Sequence, residues 1–180
     1  MKGIVFNLLE TVVQREFGEE KWDQLLDAAG VDGAYTSLGS YDDADMIKLV
    51  QAASAALDLP PDAILRWFGR RAMPILAERY PHFFRAHQNT RSFLLTLNSI
   101  IHPEVRKLYP GADVPEFDFS SSSDDDLTMG YMSRRKLCAL AEGFIEGASD
   151  HFAERVSLEH SKCMHRGDEK CILQMKFQKA

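Results

Sequence analysis

The chain has 180 residues, of which 45 % are hydrophobic, so it is long enough for one domain with a sizeable core. A formal net charge of −6 argues against nucleic acid and an anionic membrane surface as partners, because both attract a basic face. No segment approaches the roughly 18 apolar residues of a membrane span, and three cysteines do not make a secreted disulfide framework, so we expect a reduced, cytoplasmic protein.

The first half of the chain has the periodicity of helices. Apolar residues recur at helical spacing over the first 18 residues, and Gly30 is a suitable end for a second helix. Asp42 or Asp43 is a suitable N-cap for a third helix. Pro61 suits the first turn of a fourth helix, in which Pro74 should cause a kink or an interruption. The predicted helices are 1–18, 19–30, 44–57 and a segment from residue 61 that continues over 70–79.

The second half changes from helical to alternating periodicity. After a predicted loop at Tyr80–Phe84, helices are expected over 90–101 and from His102 to Tyr109. Beyond them the predicted elements are strands over 116–120 and 127–133, a long helix over 135–154, and a hairpin of strands 156–164 and 171–177. The fold class is therefore α+β: a helical N-terminal lobe of about 1–65, and a C-terminal lobe of about 66–180 with a small antiparallel sheet and a long helix.

Tyr131, Ser133 and Arg135 form the most informative pattern. They occupy positions i, i+2 and i+4, and alternate side chains of a strand share one face. Two hydroxyls and a guanidinium on one face suit a ligand with carboxylates, which Arg can bind through two parallel bonds. Arg134 has the opposite parity and should point to the other face unless the strand ends before it. Ordinary polar residues on the solvent face of a strand are the alternative interpretation.

His102 is the candidate metal ligand. It lies in an apolar stretch, where burial favours the neutral imidazole that binds haem iron. A lone histidine of this kind is more often a hydrogen-bonded core residue. Pro103 follows directly and biases His102 out of the helical region, which indicates a helix start. A ligand with two carboxylates and a central metal, together with one suitably placed histidine, suggests haem.

These residues and their spacing resemble the haem nitric oxide/oxygen-binding (H-NOX) family, of the bacterial stand-alone type, which is related to the haem domain of soluble guanylate cyclase. The resemblance rests on Tyr-x-Ser-x-Arg at 131–135, on His102 seven residues before Tyr109-Pro110, and on the run from Met129 to Ala148. It covers essentially the whole chain. It implies a single sensor domain with haem b between the lobes, five-coordinate and ferrous, and ligated by His102.

The resemblance also implies a distal pocket and a choice of gas. It puts these residues on or near the haem: Val5, Leu9, Pro74, Ile75, Leu140 and Pro115. Oxygen-binding members carry a tyrosine at the position of Leu140, and none of the five tyrosines here lies on that predicted helix. Because bound dioxygen needs a hydrogen-bond donor and nitric oxide does not, we predict binding of nitric oxide and carbon monoxide, with dioxygen excluded.

The output is expected to come from another chain. No Gly-rich phosphate loop and no kinase or cyclase signature is present, so we predict a sensor and not an enzyme. The resemblance implies a histidine kinase or a cyclic-di-GMP enzyme as the partner. Gas binding would then change a surface that the partner contacts.

A second candidate site lies near the C-terminus. His160, Cys163 and Cys171 have a spacing similar to that of zinc ligands. By resemblance to some bacterial H-NOX proteins, Cys138 completes a set of three thiolates and one imidazole for zinc. Since His160 and Cys163 have opposite strand parity, this set requires a bulge or a strand end. The alternatives are three buried free cysteines, or a zinc-dependent redox-sensing or structural adaptor that needs no haem.

Overall fold

The computed structural model describes residues 1–179, so residue 180 of the predicted domain lies outside the described part of the chain. The helices are α1 (Gly3–Phe17), α2 (Glu19–Ala29), α3 (Asp43–Leu57), α4 (Pro61–Arg79), α5 (Pro81–Phe84), α6 (Thr90–Leu94), α7 (His102–Leu108) and α8 (Cys138–His151). The strands are β1 (Glu116–Ser120), β2 (Asp126–Met132), β3 (Glu154–Lys162) and β4 (Cys171–Lys179). Over residues 1–179 no helix has both the length and the apolar character that crossing a membrane would need.

The four strands form one antiparallel sheet in the order β1-β2-β4-β3. Successive residues along each strand point alternately to the inner face and to the solvent face of the sheet, as period-two sequences require. Leu127 and Met129 of β2 lie beside Leu173 and Met175 of β4, and all four are buried. This face packs with Ile145 of α8 in one apolar cluster. The α+β class predicted from the sequence is confirmed.

Two apolar clusters lie on either side of α4 and α8. Phe6, Leu49 and Phe68 belong to the cluster of the N-terminal helices. The second cluster joins Met73 and the sheet. The predicted lobe boundary near residue 65 falls inside α4. This helix contributes side chains to both clusters.

Helices α4 and α8 pack backbone to backbone, and theirs is the most extensive contact between two elements of the fold. Three glycines make this approach possible. A Cβ at Gly143 would lie 2.0 Å from the carbonyl oxygen of Arg66, and one at Gly147 would lie 2.6 Å from that of Arg70. On the other helix, a Cβ at Gly69 would lie 2.5 Å from the carbonyl oxygen of Leu140. The separation of the two helices is therefore set by the absence of side chains at their contact.

Of the two effects predicted for the proline in α4, a kink or an interruption, the interruption does not occur. The helix runs without a break through Pro74, whose ring is exposed. A proline inside a helix removes one backbone hydrogen bond and crowds the preceding turn. The long contact with α8 holds the segment helical on both sides of it.

Other boundaries also differ from those predicted. Tyr80–Phe84 is largely the short helix α5 and not a loop. The helix predicted over 90–101 ends at Leu94 and is followed by a π-helical turn, Leu97–Ile101. Helix α8 begins only at Cys138, because Lys136 has a φ of 51°, which a helix does not accommodate.

The packing of α4 against α8 predicts a large effect of one methyl group. Gly143→Ala should lower the free energy of unfolding by about 2–3 kcal/mol, since overpacking against a backbone carbonyl outweighs the gain of about 1 kcal/mol in helix propensity. Gly147→Ala should cost less, because its nearest backbone atom is farther away. Urea unfolding monitored by circular dichroism measures both changes. Ala56→Gly, on the exposed side of α3, isolates the propensity effect. A Gly143→Ala protein as stable as the parent would contradict the close packing.

Candidate functional site

A cavity of about 560 Å³ lies between the two apolar clusters. Its walls are mainly apolar and come from α1, α4, α7, α8 and the first two strands. The wall includes Ile4 and Leu8 from α1 and Phe144 from α8. Polar and charged side chains are concentrated at one end. A slot of this kind suits a large, mostly apolar ligand with a polar edge.

His102 stands in the wall of this cavity. It is the first residue of α7, with Pro103 in the first turn, and its own backbone is helical at φ −66° and ψ −37°. The expectation that Pro103 marks a helix start holds, although His102 is not displaced into the extended region. Its ring packs against that of Phe117, with centroids 5.4 Å apart.

The imidazole of His102 has the chemistry of a metal ligand. Burial, and next the charge of Arg106, lower its pKa to about 4, so the ring is neutral at physiological pH. Nδ1 is buried and has no hydrogen-bond partner within residues 1–179. A buried polar atom without a partner is costly, and coordination of a metal would satisfy a ring nitrogen.

Tyr131, Ser133 and Arg135 all line the cavity at its polar end. Their arrangement differs from the single strand predicted, because β2 ends at Met132. Tyr131 is buried within β2, and burial raises its pKa to about 12, which keeps the hydroxyl protonated. Ser133 and Arg135 lie in the following turn, where the hydroxyl of Ser133 accepts a hydrogen bond of 3.3 Å from the Arg135 amide. The turn, and not strand parity, brings the three together.

Arg135 is held in place by two carboxylates. Its Nε donates to Asp43 at 2.8 Å, and its Nη1 donates to the backbone oxygen and the carboxylate of Asp113 at 2.8 and 2.9 Å. Its side chain is only 12 % exposed. Within the described chain Nη2 makes no hydrogen bond, so this nitrogen is free to donate to a ligand carboxylate.

In a continuing strand, Arg134 would point away from the site. In the structure it does not. It also lines the cavity and donates through Nε to Asp113 at 2.6 Å. The prediction made an exception for a strand that ends before Arg134, and β2 does end at Met132. Arg134 is 71 % exposed and therefore lies at the rim.

The predicted residues near the ligand faces divide into two groups. Val5, Pro115 and Leu140 line the cavity. Leu9 does not: it lies one turn beyond Val5 on α1 and is buried in the N-terminal cluster. It therefore supports the wall from behind.

Pro74 and Ile75 do not reach the cavity either. Pro74 is exposed, and Ile75 is buried in the N-terminal cluster. The residues of α4 that line the cavity are Met73 and Leu76. Each residue advances about 100° around a helix, so a shift of one position along α4 turns a side chain away from the site. The cavity wall is thus formed by the neighbours of the two residues that the resemblance indicated.

A contact between two tyrosines at the cavity was not predicted from the sequence. The hydroxyls of Tyr80 and Tyr109 lie 2.5 Å apart, and both residues line the wall. Each ends a helix, α4 and α7 respectively, and each precedes a proline. These paired Tyr-Pro sequences were the only signal for this contact. Burial, followed by the bond to Tyr80, raises the pKa of Tyr109 to about 12.

The second candidate site lies at the N-terminal end of α8, where Cys138, Cys163 and Cys171 pack in one cluster with Tyr131. The ligand atoms of Cys138, His160, Cys163 and Cys171 all lie within 4.8 Å of one another. The register between β3 and β4 shifts between His160 and Lys162, which is the bulge that the sequence required. Burial raises the pKa of the Cys171 thiol, and the amide of Met164, which donates to this sulfur at 3.3 Å, partly offsets that rise. Three sulfurs and one imidazole match a closed, tetrahedral zinc site.

The residues of the large cavity fit haem. The apolar slot matches the macrocycle, the neutral imidazole of His102 matches the iron, and Arg135 with its neighbouring hydroxyls matches the carboxylates. This fit depends on buried groups of the chain itself.

Comparisons with known proteins agree with this fit. A model of the haem-NO-binding (HNOB) family matches residues 2–160. A crystal structure of an H-NOX protein from S. oneidensis in the Fe(II)NO state is 30 % identical, covers 99 % of each chain and has a TM-score of 0.91. The NMR structure of an H-NOX domain from Shewanella oneidensis in the Fe(II)CO state is 31 % identical over 100 % of both chains, with a TM-score of 0.89.

A crystal structure of an Fe(II) unliganded H-NOX protein from K. algicida is also similar, at 27 % identity and a TM-score of 0.85, and it covers 100 % of this chain and 98 % of the other. The family model extends over more than half of the sequence, and the structural matches extend from end to end. Together with a cavity that fits haem, they show that the chain belongs to the haem-NO-binding (H-NOX) family of gas-sensor domains.

Proposed function

We propose that this protein senses nitric oxide at a ferrous haem b ligated by His102, and that it regulates a separate signalling protein. The single observation that carries the proposal is the neutral imidazole of His102, with a buried Nδ1 that has no hydrogen-bond partner within residues 1–179, in the wall of an apolar cavity of about 560 Å³. Haem held by His102 and Arg135 would supply an iron that binds a diatomic gas. Members of this family are sensors and not catalysts, in keeping with the role proposed here.

The polar end of the cavity would hold the carboxylates of the cofactor. Arg135 offers a free Nη2, while Asp43 and Asp113 fix the rest of its guanidinium. Tyr131 and Ser133 add hydroxyl groups on the same side. Charge-assisted hydrogen bonds of this kind are stronger than neutral ones and fix the orientation of a planar ligand.

The choice of gas follows from the absence of an available donor on the apolar side. Val5 and Leu140 present only hydrocarbon to the cavity. Tyr80 and Tyr109 bond to each other at the end of α7, the helix that carries His102; one hydroxyl of the pair donates, and the other keeps its proton. Dioxygen needs a donor for stable binding, so the wall of Val5 and Leu140 favours nitric oxide and carbon monoxide and excludes dioxygen.

The signal would pass to a partner through a change in the protein surface. A ligand can shift a protein between states only if it binds them with different affinity. Cleavage or weakening of the link to His102 would alter the constraint on α7 and supply such a difference. We propose a histidine kinase or a cyclic-di-GMP enzyme as the partner. Three free, buried cysteines favour a reducing compartment such as the cytoplasm.

We also propose that zinc occupies the site of Cys138, His160, Cys163 and Cys171. The observation that favours it is that Nε2 of His160 is buried without a partner within residues 1–179, while its three neighbours are thiols. This zinc would add to the haem sensor. An adaptor that needs no haem is not favoured, because it would not account for the family membership of the chain or for the large apolar cavity.

Absorption spectra test the gas assignment. The reduced protein, held anaerobically, should show a haem band that shifts with nitric oxide and with carbon monoxide. A separate reduced sample in air should oxidise without forming a stable oxy spectrum, because Val5 and Leu140 offer no donor. The double variant Tyr80→Phe/Tyr109→Phe, which removes both hydroxyls, should behave like the parent. A stable oxy spectrum in the parent that disappears in the double variant would contradict the assignment and show that this pair supplies the donor. No haem band after reconstitution would contradict the sensor itself.

Arg135 should control the retention of haem. Arg135→Ala should release haem to excess apomyoglobin about 10- to 100-fold faster, since a hydrogen bond to a charged group contributes roughly 1.5–3 kcal/mol. Arg135→Lys should be intermediate, because Lys cannot reproduce the planar geometry. Arg134→Ala is the matched control: it removes the adjacent but exposed arginine and should have little effect. Equal release rates for the two alanine variants would argue against the carboxylate contact.

The zinc proposal predicts a stoichiometric metal. Elemental analysis of protein purified without chelators should find one zinc per chain, and Cys171→Ser should lose most of it. His165→Ala should retain zinc, because Nε2 of His165 bonds the Lys136 carbonyl at 2.7 Å and lies outside the ligand set. Failure of the parent to bind zinc after reconstitution would overturn the proposal.

A further inference from the structure

Glu142 is a buried carboxylate that the haem cavity does not use. Its residue is 7 % exposed and lies on α8, one turn after Cys138. Each of its oxygens has one partner. Oε1 lies 2.7 Å from Nδ1 of His160, and Oε2 lies 3.0 Å from Nη1 of Arg66. A buried carboxylate is costly unless it is paired and hydrogen-bonded, so this double partnership must be maintained in the folded chain.

The contact with Glu142 determines which nitrogen of His160 carries the proton. A carboxylate only accepts hydrogen bonds, so Nδ1 must donate to it. Nε2 is buried and has no hydrogen-bond partner in the described chain, so a second proton there would be left unsatisfied. The neutral ring with hydrogen on Nδ1 satisfies both conditions. Its Nε2 lone pair then lies among the three cysteine sulfurs.

We propose that Glu142, itself held by Arg66, is the positioning residue that fixes His160 as a metal ligand through Nε2. The inference rests on the zinc site proposed above and extends it by two residues. Carboxylates commonly orient metal-bound histidines in this way and raise their basicity. Here the carboxylate comes from the helix that also supplies the ligand Cys138, so one rigid element sets both positions.

Arg66 extends this contact to α4. Its Nε and Nη2 donate to Glu146 at 3.0 and 2.5 Å, while Nη1 lies beside Glu142. Its backbone is held against α8, since a Cβ at Gly143 would strike the Arg66 carbonyl. Helix α4 also carries Met73 of the cavity wall. The metal site is therefore joined, through Arg66 and Glu142, to a helix that lines the haem cavity.

A purely structural role for the same contacts makes a different prediction. If Glu142 only stabilised the helix, its loss would lower stability without changing the tautomer of His160 or the affinity of the cluster for metal. Glu146 provides the comparison, because it binds the same arginine one turn later and makes no hydrogen bond to His160 within residues 1–179.

The first experiment observes the metal-free protein. Long-range ¹H–¹⁵N spectra at neutral pH should show hydrogen on Nδ1 of His160 in the parent and in Glu146→Gln. Glu142→Leu should lose this fixed tautomer and show a mixture with hydrogen on Nε2. Glu142→Gln, whose amide oxygen can still accept the bond, should retain it in part. An unchanged tautomer in Glu142→Leu would overturn the inference.

The second experiment measures metal affinity by competition between the protein and a chromogenic chelator for zinc. Glu142→Leu should bind zinc roughly 10- to 100-fold more weakly than the parent, as is typical when such a partner is lost. Glu142→Gln should recover part of the loss, and Glu146→Gln should match the parent. Equal affinity in Glu142→Leu and the parent would overturn the inference and leave the zinc site standing.

A parent that binds no zinc would instead overturn the zinc site, and the tautomer spectra would still decide the role of Glu142. If Glu142→Leu does not fold, as judged by circular dichroism, the comparison between Glu142→Gln and Glu146→Gln carries the test. In that case, identical spectra and identical zinc affinities in these two variants would reject the inference.

Discussion

The close contact of α4 with α8 is the constraint on which the rest of the structure depends. Glycines at 69, 143 and 147 let the two backbones approach until only the absence of Cβ atoms prevents a clash. Interiors packed this closely transmit small displacements instead of absorbing them. Both helices contribute to the cavity wall and to both apolar clusters. The separation of α4 and α8 therefore sets both the width of the cavity and the distance from Arg66 to Glu142.

Electrostatics divides the cavity into distinct regions. Burial lowers the pKa of His102 to about 4 and so keeps the ring in the neutral form that binds metal. Burial also raises the pKa values of Tyr109 and Tyr131 to about 12, which keeps both hydroxyls protonated and able to donate. Arg135 supplies the positive charge at one end only. A ligand with apolar faces and acidic edges would find each region matched by burial and by charge.

The sequence allowed the fold class and much of the site to be predicted. The alternation in the C-terminal half and the helical periodicity of the N-terminal half were strong, because one face of each element is buried. The polar end of the cavity was identified from Tyr131, Ser133 and Arg135, although the geometric argument was wrong: a turn, not one strand, brings them together. On α4 the cavity is lined by Met73 and Leu76 and not by Pro74 and Ile75, because an offset of one residue in a helix means a rotation of about 100°.

Other features depended on contacts between distant segments, which periodicity does not report. In the sequence, Glu142 has the pattern of an ordinary polar residue on an amphipathic helix. Only the folded structure shows that it lies between Arg66 and His160. Asp113 and Asp43 lie 70 residues apart and meet at one guanidinium. Tyr80 and Tyr109 likewise come together only because α4 and α7 end at the same wall.

The bulge in β3 has a consequence for how the chain length in this region can vary. In a regular strand, odd-numbered and even-numbered residues point to opposite faces of the sheet. The bulge between His160 and Lys162 adds one residue to β3 and so reverses this assignment for the residues that follow. His160 and Cys163 thereby reach the same cluster although they are three positions apart. Removing or inserting one residue there would move a sulfur to the opposite face of the sheet. Relatives that keep the four ligands should therefore vary in length in the turn after Arg166, and not between residues 158 and 163.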